Sequence, residues 1–276
     1  MVISGNAGPA RPFDFAGQVA VITGGARGIG RGIAEAFLAA GADVVVCGRS
    51  GIPESELPTA TDGGGGVRRA VYVIADVRQP EQSASVIDAA RDRFGRLDVL
   101  VNNAGGSPEA AAATVSPRFF ASIVTLNLLA PFYCGQAANA VMQGQPEGGS
   151  IVNVGSVSGI RPSPGTAAYG ASKAGLINLT QSLAVEWAPK VRVNCVSAGM
   201  VATDAARAHY GGEEGLAKVA ATVPLGRFAT PGDVAGLCLF LSSPSLAGYV
   251  TGANLVAHGG GERPAFLAAA EGKDAS

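Results

Sequence analysis

The sequence predicts an α/β protein with a doubly wound parallel sheet, and three observations support this fold class. Short β-branched runs recur along the chain and alternate with stretches of helical pattern. Most of these runs are almost continuously apolar, as in strands that are buried on both faces of a parallel sheet. The first run also passes through a glycine-rich turn directly into a helical pattern.

Each element follows from one of two local patterns. Apolar, β-branched runs predict strands at 19–22, 44–47, 71–74, 97–101, 151–154, 191–196 and 254–256. Segments between them with helical periodicity predict helices at 29–40, 81–94, 117–142, 168–187 and 231–242. Strand, helix and strand therefore alternate over most of the chain.

The connection after the second strand departs from this alternation. Residues 51–66 contain Pro53, Pro58 and the glycine run 63–66, which disfavour a regular helix. We predict a loop or a much shortened helix here, and we expect it to be mobile.

A second irregular stretch, residues 200–228, follows the end of the sixth strand and contains His209, Tyr210 and two glycines. Ligands of open α/β sheets bind outside the carboxyl ends of the strands. This stretch is therefore predicted to be a substrate lid, and it should shape the pocket together with the loop at 106–115.

Length and composition indicate one large domain. The chain has 276 residues, of which 47% are hydrophobic and 15% charged, with 40 glycines. The regular pattern runs from 15 to 261 and predicts a single domain over those residues. Residues 1–14 are expected to be a flexible arm and residues 262–276 a tail.

Charge and cysteine content exclude several classes of partner. The formal net charge of -1, without basic stripes, gives no reason to expect nucleic acid or an anionic membrane as partner. The cysteines lie in apolar stretches without CxxC pairing, which predicts reduced, buried thiols and no metal site: Cys47, Cys134, Cys195 and Cys238. No leader opens the chain and no apolar run approaches the ~20 residues of a membrane span, so a cytoplasmic protein is expected.

The turn after the first strand is typical of a dinucleotide site. It reads Thr23-Gly24-Gly25-Ala26-Arg27-Gly28-Ile29-Gly30 and opens the first helix. Glycines allow the backbone to approach a pyrophosphate, and the helix amino terminus attracts it. A glycine turn that merely packs tightly is the alternative.

The end of the second strand favours NADP over NAD. Arg49 stands where a carboxylate for the ribose 2′-hydroxyl would otherwise sit, and a guanidinium there can bind a 2′-phosphate. Arg27 could add a second cation, although either arginine could instead be a solvated loop charge. Asp76, which closes the third strand, could accept a hydrogen bond from the adenine amino group or could simply form a turn.

A tyrosine and a lysine four residues apart form a candidate acid/base pair. On one helix, Tyr169 and Lys173 would present the phenol and the ammonium on the same face, and Ser156 lies thirteen positions earlier at a strand end. A cation favours the phenolate, but a shift of about 3 pKa units needs about 4 kcal/mol, more than one exposed ammonium supplies. A second positive charge is therefore required.

Together these residues resemble the short-chain dehydrogenase/reductase family, in its single-domain branch. The resemblance covers roughly residues 15–261. It is carried by the motifs Thr23-Gly24-xxx-Gly28-x-Gly30, Asn102-Asn103-Ala104-Gly105, Asn127, Ser156 and Tyr169-xxx-Lys173. The resemblance implies a seven-stranded Rossmann fold, a nicotinamide cofactor, and homodimers or homotetramers formed through the helices at 117–142 and 168–187.

The resemblance also implies a catalytic tetrad. Tyr169 would donate a proton to a carbonyl oxygen or remove it from an alcohol, and Ser156 would hydrogen-bond that oxygen. Lys173 would hold the nicotinamide ribose and lower the tyrosine pKa, with the oxidised ring supplying the second charge. Asn127 would anchor a water that links Lys173 to solvent. Ser158 is an alternative to Ser156 by residue type, and Asn127 could instead face solvent or cap a kink.

The cofactor would be NADP(H), with NAD(H) as the alternative. Residues 103–105 would line the adenosine ribose, and Thr203 would contact the carboxamide. The complete predicted set is Gly24, Arg27, Gly28, Ile29, Gly30, Arg49, Asp76, Val77, Asn103, Ala104, Gly105, Tyr169, Lys173, Gly199, Val201 and Thr203. Ala198 stands where the family often has proline, which predicts a looser loop on the nicotinamide side.

The predicted function is an NADP-dependent oxidoreductase that interconverts a small-molecule carbonyl and a secondary alcohol. Alternatives are an NAD-preferring dehydrogenase, a dinucleotide-sensing protein without chemistry, and an epimerase or dehydratase of nucleotide sugars. The last usually has a substrate domain, and no such domain is visible in the sequence. Nothing in the sequence selects the substrate.

Overall fold

A computed structural model of the protein describes residues 13–262. The predicted arm at 1–14 and the predicted tail at 262–276 therefore lie, apart from residues 13, 14 and 262, outside the described residues.

A seven-stranded parallel sheet forms the centre of the described chain and confirms the predicted fold class. The strands are β1 (Val19–Thr23), β2 (Asp43–Gly48), β3 (Thr59–Thr61), β4 (Val67–Arg69), β5 (Val71–Ile74), β6 (Val99–Asn102), β7 (Gly149–Ser156), β8 (Val191–Ala198) and β9 (Asn254–Ala257). The large sheet has the order β5-β2-β1-β6-β7-β8-β9, and every pair in it is parallel. The order reverses at β1, which is the topological switch point where such sheets bind ligands.

Helices cover both faces of this sheet. They are α1 (Gly28–Ala39), α2 (Pro80–Phe94), α3 (Pro117–Val124), α4 (Ala130–Gln143), α5 (Ala167–Glu186), α6 (Asp204–His209), α7 (Gly212–Ala220), α8 (Pro231–Ser242) and α9 (Pro244–Ala247). One buried cluster lies under α1 and α8, and a second lies under α2, α4 and α5. All four cysteines are buried and free, as expected, and burial raises the pKa of Cys47 to about 11.

The predicted helix at 117–142 is present, with an interruption. A π-helical turn over Thr125–Leu129 joins α3 to α4. By length and composition alone the stretch Pro117–Gln143 could cross a membrane, contrary to the expectation that no apolar run comes near that length. The reason is that residues 119–143 carry no charge, while Ala138 and Met142 of α4 are buried in the second cluster.

The connection at 51–66 contains a much shortened helix, as predicted, in the form of one 3₁₀ turn at Glu54–Glu56. The prediction did not include β3, which forms an antiparallel hairpin with β4 at Val67–Arg69 and packs beside α1. The Asp62 carboxylate accepts hydrogen bonds from the backbone N–H groups of Gly64 and Gly66 and from the Arg68 guanidinium, at 2.9–3.0 Å. These bonds close the glycine-rich turn that sequence reasoning treated as a break.

Residues 200–228 are also more regular than predicted, because they contain α6 and α7. Backbone contacts hold both ends of the stretch against neighbouring segments. Val201 bridges to Ala229, and the Leu225 N–H donates to the Gly259 carbonyl at 3.0 Å. Its role as a substrate lid stays a prediction.

Candidate functional site

The glycine turn lies between β1 and α1, at the switch point of the sheet. Gly24 has a φ of +64° and Gly28 a φ of +54°, a region that side chains rarely adopt. A Cβ on Gly30 would overlap the Asn103 amide and the Gly24 carbonyl oxygen. Arg27 precedes α1 in extended conformation, and its side chain does not cap the helix, so the first N–H groups of α1 remain available to an anion.

Thr23, which the sequence analysis named only as part of the glycine motif, connects this turn to the end of β6. The Thr23 hydroxyl accepts hydrogen bonds from the backbone N–H groups of Asn103 and Ala104, each at 3.0 Å. In return, the Asn103 amide donates to the Thr23 carbonyl at 2.9 Å. The predicted residues 103–105 are therefore brought beside the glycine turn, and a hydroxyl at the end of an apolar strand was the available signal.

The predicted 2′-phosphate end contains two unpaired cations. Within the described chain, neither Arg27 nor Arg49 forms an ion pair with a carboxylate. Asp76, by contrast, accepts from the Arg78 guanidinium at 2.9 and 3.0 Å, and this contact holds the pKa of Asp76 below its usual value. Asp76 Oδ1 also accepts from the Arg78 N–H at 3.1 Å, as a turn former does, and its contact with adenine stays a prediction. Val77 turns its side chain into the second core cluster.

The predicted catalytic side chains meet at the carboxyl end of β7. Ser156 ends that strand, while Tyr169 and Lys173 lie one turn apart near the start of α5. The Lys173 Nζ lies 5.6 Å from the centre of the Tyr169 ring. Ser156 lies near enough to the Tyr169 hydroxyl to lower the pKa of the phenol, and the Ser156 oxygen accepts from the Ser158 N–H at 3.1 Å.

Burial opposes ionisation of both members of this pair. Lys173 is 3% exposed, and burial lowers its pKa to about 8. Its ammonium donates to the Val154 carbonyl at 2.7 Å. Desolvation raises the pKa of Tyr169, and the nearby Ser156 opposes that rise. The lysine alone therefore does not create a phenolate, which agrees with the need for a second positive charge.

Asn127 lies in the π-helical turn and is completely buried. Its amide N–H groups donate to the carbonyls of Gly106 and Ile123, and its Oδ1 accepts from the Gly106 N–H, all at 2.9 Å. A water at this residue would have to bind the remaining lone pair or the backbone carbonyl. A Cβ on Gly105 would lie 2.8 Å from Asn127 Oδ1 and 3.4 Å from Lys173 Nζ, so these three predicted residues converge.

A buried polar chain beneath the site was missed from the sequence. Asn102 donates to Asn153 Oδ1 across β6 and β7, and Asn153 donates to the Thr180 hydroxyl on α5, both at 2.9 Å. This chain fixes the strand ends relative to the helix that carries Tyr169. Asparagine inside two otherwise apolar strands was the signal that could have identified it.

Three further predicted residues, Gly199, Val201 and Thr203, lie in the segment between β8 and α6. Thr203 caps α6 through its hydroxyl, and its methyl group lies 3.6 Å from where a Cβ of Gly28 would stand. The Gly199 N–H donates to the Ala257 carbonyl at 2.8 Å, so the segment after Ala198 is tied to β9 despite the missing proline. Val201 is buried beside this segment.

These groups fit a dinucleotide. The glycine turn is packed too closely for side chains at Gly25 and Gly30, the first N–H groups of α1 have no side-chain cap, and Arg27 and Arg49 follow β1 and β2 without a carboxylate partner in the described chain. Within residues 13–262, no group of three or more His, Cys, Asp or Glu side chains is arranged to hold a metal ion.

Comparisons with known proteins find similar dehydrogenases and reductases. Residues 24–262 match the family described as enoyl-(acyl carrier protein) reductase. A 3-oxoacyl-[acyl-carrier-protein] reductase of Synechocystis is 35% identical over 88% of this chain and 96% of its own length. An L-rhamnose 1-dehydrogenase (NAD(P)(+)) of Azotobacter vinelandii is 36% identical, again over 88% of this chain and 96% of its own. Among solved structures, a putative short-chain alcohol dehydrogenase from Sinorhizobium meliloti superposes with a TM-score of 0.80 at 38% identity, covering 90% of this chain and 97% of that one.

Proposed function

The chain belongs to the short-chain dehydrogenase/reductase family and is an oxidoreductase of alcohol or carbonyl groups; from this premise we propose that it uses NADP(H), with Tyr169 as general acid/base. One observation carries the proposal. Ser156, Tyr169 and Lys173 converge at the end of β7, two strands from the glycine turn after β1.

Each side chain has a defined task in this proposal. Tyr169 donates a proton to the carbonyl oxygen during reduction and removes it from the alcohol during oxidation. Ser156 hydrogen-bonds the same oxygen and stabilises its developing negative charge. The glycine turn would hold a nicotinamide dinucleotide, which would supply the hydride in its reduced form and a positive charge in its oxidised form.

Lys173 and Asn127 support the acid/base group. Lys173 holds the nicotinamide ribose, and its ammonium favours the phenolate form of Tyr169. Asn127 and Lys173 both lie close to Gly105. Asn127 anchors the water through which the tyrosine regains its proton.

The NADP preference is supported by the charges at the ends of β1 and β2. Arg27 and Arg49 have no carboxylate partner in the described chain, and a 2′-phosphate would satisfy both. Asp76 is paired with Arg78, and although the nearby Arg49 charge also helps to lower the pKa of Asp76, Arg49 forms no ion pair with it in the described chain. The adenosine ribose would lie against residues 103–105.

A binding comparison followed by a turnover assay tests the proposal. Thermal unfolding is measured with NADPH or NADH, and NADPH consumption is then followed with a 3-oxoacyl thioester, a panel of ketones, an oxidised sugar and an enoyl thioester. We expect NADPH to stabilise the protein more and a carbonyl compound to be reduced. Greater stabilisation by NADH would overturn the role of Arg49, and binding without turnover on any member would favour the sensing alternative.

The expected cytoplasmic location and the homodimeric or homotetrameric state stay predictions. Assembly through the helices at 117–142 and 168–187 is supported by apolar side chains exposed on them, Phe120, Leu129 and Val185. Light scattering of the purified chain measures the assembly state directly.

A further inference from the structure

The last residue of β2 faces a tyrosine from the neighbouring strand. Tyr72 lies on β5, which pairs with β2 in the register Val46 to Tyr72 and Gly48 to Ile74. A Cβ on Gly48 would overlap the Tyr72 hydroxyl oxygen, whereas the ring carbon that bears this oxygen would lie 3.5 Å away, an ordinary contact. Of the Tyr72 side chain, only the hydroxyl oxygen would overlap the Cβ of a residue larger than glycine at position 48.

The tyrosine is held in this place. Its hydroxyl donates a hydrogen bond to the Ser50 carbonyl at 2.6 Å, and its ring packs against the first core cluster. Burial raises the pKa of Tyr72, and the nearby Arg27 guanidinium opposes that rise, so the hydroxyl lies within the electrostatic reach of Arg27. Moving the ring aside would break the bond to Ser50.

The structure ends β2 at Gly48, so it moves the position at which a carboxylate would select NAD from 49, the position expected from the sequence, to 48. In dinucleotide folds this acidic residue lies about 20 residues after the glycine turn, at the end of the second strand. Gly48 is twenty positions after Gly28. It also shares a sheet face with Val46, whose side chain a Cβ on Gly25 would overlap. A side chain at 48 would thus point to the face that carries the glycine turn.

We propose that Tyr72 is a specificity-determining residue, whose hydroxyl excludes an acidic side chain from position 48 and keeps the end of β2 open for a 2′-phosphate between Arg27 and Arg49. The inference rests on the proposed use of NADP(H). It assigns cofactor choice to a residue of β5 in addition to the two arginines.

The binding test introduces Gly48→Asp with Tyr72 intact and again with Tyr72→Phe, and measures dissociation constants of NADH and NADPH for the full chain. With Tyr72 intact, Gly48→Asp should weaken NADPH binding and gain little for NADH. With Tyr72→Phe, the same aspartate should improve NADH binding by about tenfold, the effect of one hydrogen bond to a charged group. An equal gain with and without the tyrosine hydroxyl, or no gain in either case, would overturn the inference. A wild-type protein that prefers NADH would instead overturn the proposed function.

The stability test needs no cofactor and is therefore independent of that preference. Gly48→Ala should lower the thermal midpoint by roughly 2–4 °C with Tyr72 intact and should change it by less than about 1 °C in the Tyr72→Phe protein. Gly51→Ala is the matched control, because its Cβ would meet only the Ile74 side chain, at 3.5 Å. The same loss from Gly48→Ala in both proteins would overturn the steric argument.

Discussion

The glycine turn and the Tyr169–Lys173 pair are prepared for their tasks in different ways. Packing shapes the turn: Cβ atoms on Gly25 and Gly30 would overlap the side chains of Val46 and Asn103. Charge governs the pair: burial lowers the pKa of Lys173 to about 8 and raises that of Tyr169. Packing in the folded chain thus fixes the conformation of the glycine turn. At the catalytic end the side chains of Tyr169 and Lys173 are in position, but burial opposes the charged forms of both.

This difference matters for how the two regions respond to mutation. Changes at the nucleotide end should act through steric overlap and should affect stability and cofactor binding together. Changes at the catalytic pair should separate stability from turnover, because burying an ammonium is unfavourable for folding.

Tyr169→Phe should give the largest effect. Removing the phenol hydroxyl removes the general acid/base, which typically lowers turnover by about 10²–10⁴-fold. Initial rates of NADPH consumption measure the loss, and a titration measures cofactor affinity, which should change far less. Tyr249→Phe is the matched control, because Tyr249 is fully exposed. Turnover that survives Tyr169→Phe unchanged would exclude the proposed chemistry.

Lys173→Met should raise the stability of the cofactor-free protein while abolishing turnover. The pKa of Lys173 is about 8 in the folded chain and 10.5 ordinarily, so the unfolded chain binds the extra proton between these values. The penalty is fully present below about pH 8 and amounts to about 3 kcal/mol.

Urea unfolding at pH 7 and pH 10 measures this penalty. The advantage of the Lys173→Met protein over wild type should be present at pH 7 and should shrink as the pH rises through the window from about 8 to 10.5. Lys218→Met is the control, because Lys218 is exposed on α7 and should show no such pH dependence. A Lys173→Met protein less stable than wild type at pH 7 would contradict the argument.

The features of the fold and the site that depend on local pattern could be predicted from the sequence. The seven sheet strands were predicted because strands buried on both faces are continuously apolar, and only their ends moved, by up to two residues. The acid/base pair was predicted because four residues make one helical turn, and the tyrosine and lysine do lie on one face of α5. The glycine turn was identified by its place between a strand and a helix.

What sequence reasoning missed depends on contacts between distant residues. Thr23 and Asn103 are separated by 80 positions, and nothing local indicates that their polar groups pair. The hairpin of β3 and β4 was missed because Pro and Gly signal a break but not the Asp62 bonds that close it. The position of the Tyr72 hydroxyl opposite Gly48 could not be predicted either, because it depends on the register between β2 and β5.

Gly30→Ala and Gly236→Ala should give the smallest effect. Together they test most directly whether packing fixes the glycine turn. Both glycines lie in helices, where alanine is otherwise favoured over glycine by about 0.5–1 kcal/mol. At Gly236 nothing lies within 4 Å of a new Cβ, so alanine should stabilise the protein by that amount.

At Gly30 the new Cβ would overlap the Gly24 backbone carbonyl, which cannot move aside, so alanine should destabilise the protein by about 2 kcal/mol. It should also weaken NADPH binding, because the Asn103 amide that it displaces holds the Thr23 carbonyl beside the turn. Urea unfolding and a cofactor titration of both variants measure these effects, and a stabilising Gly30→Ala would mean that the turn is not organised by packing.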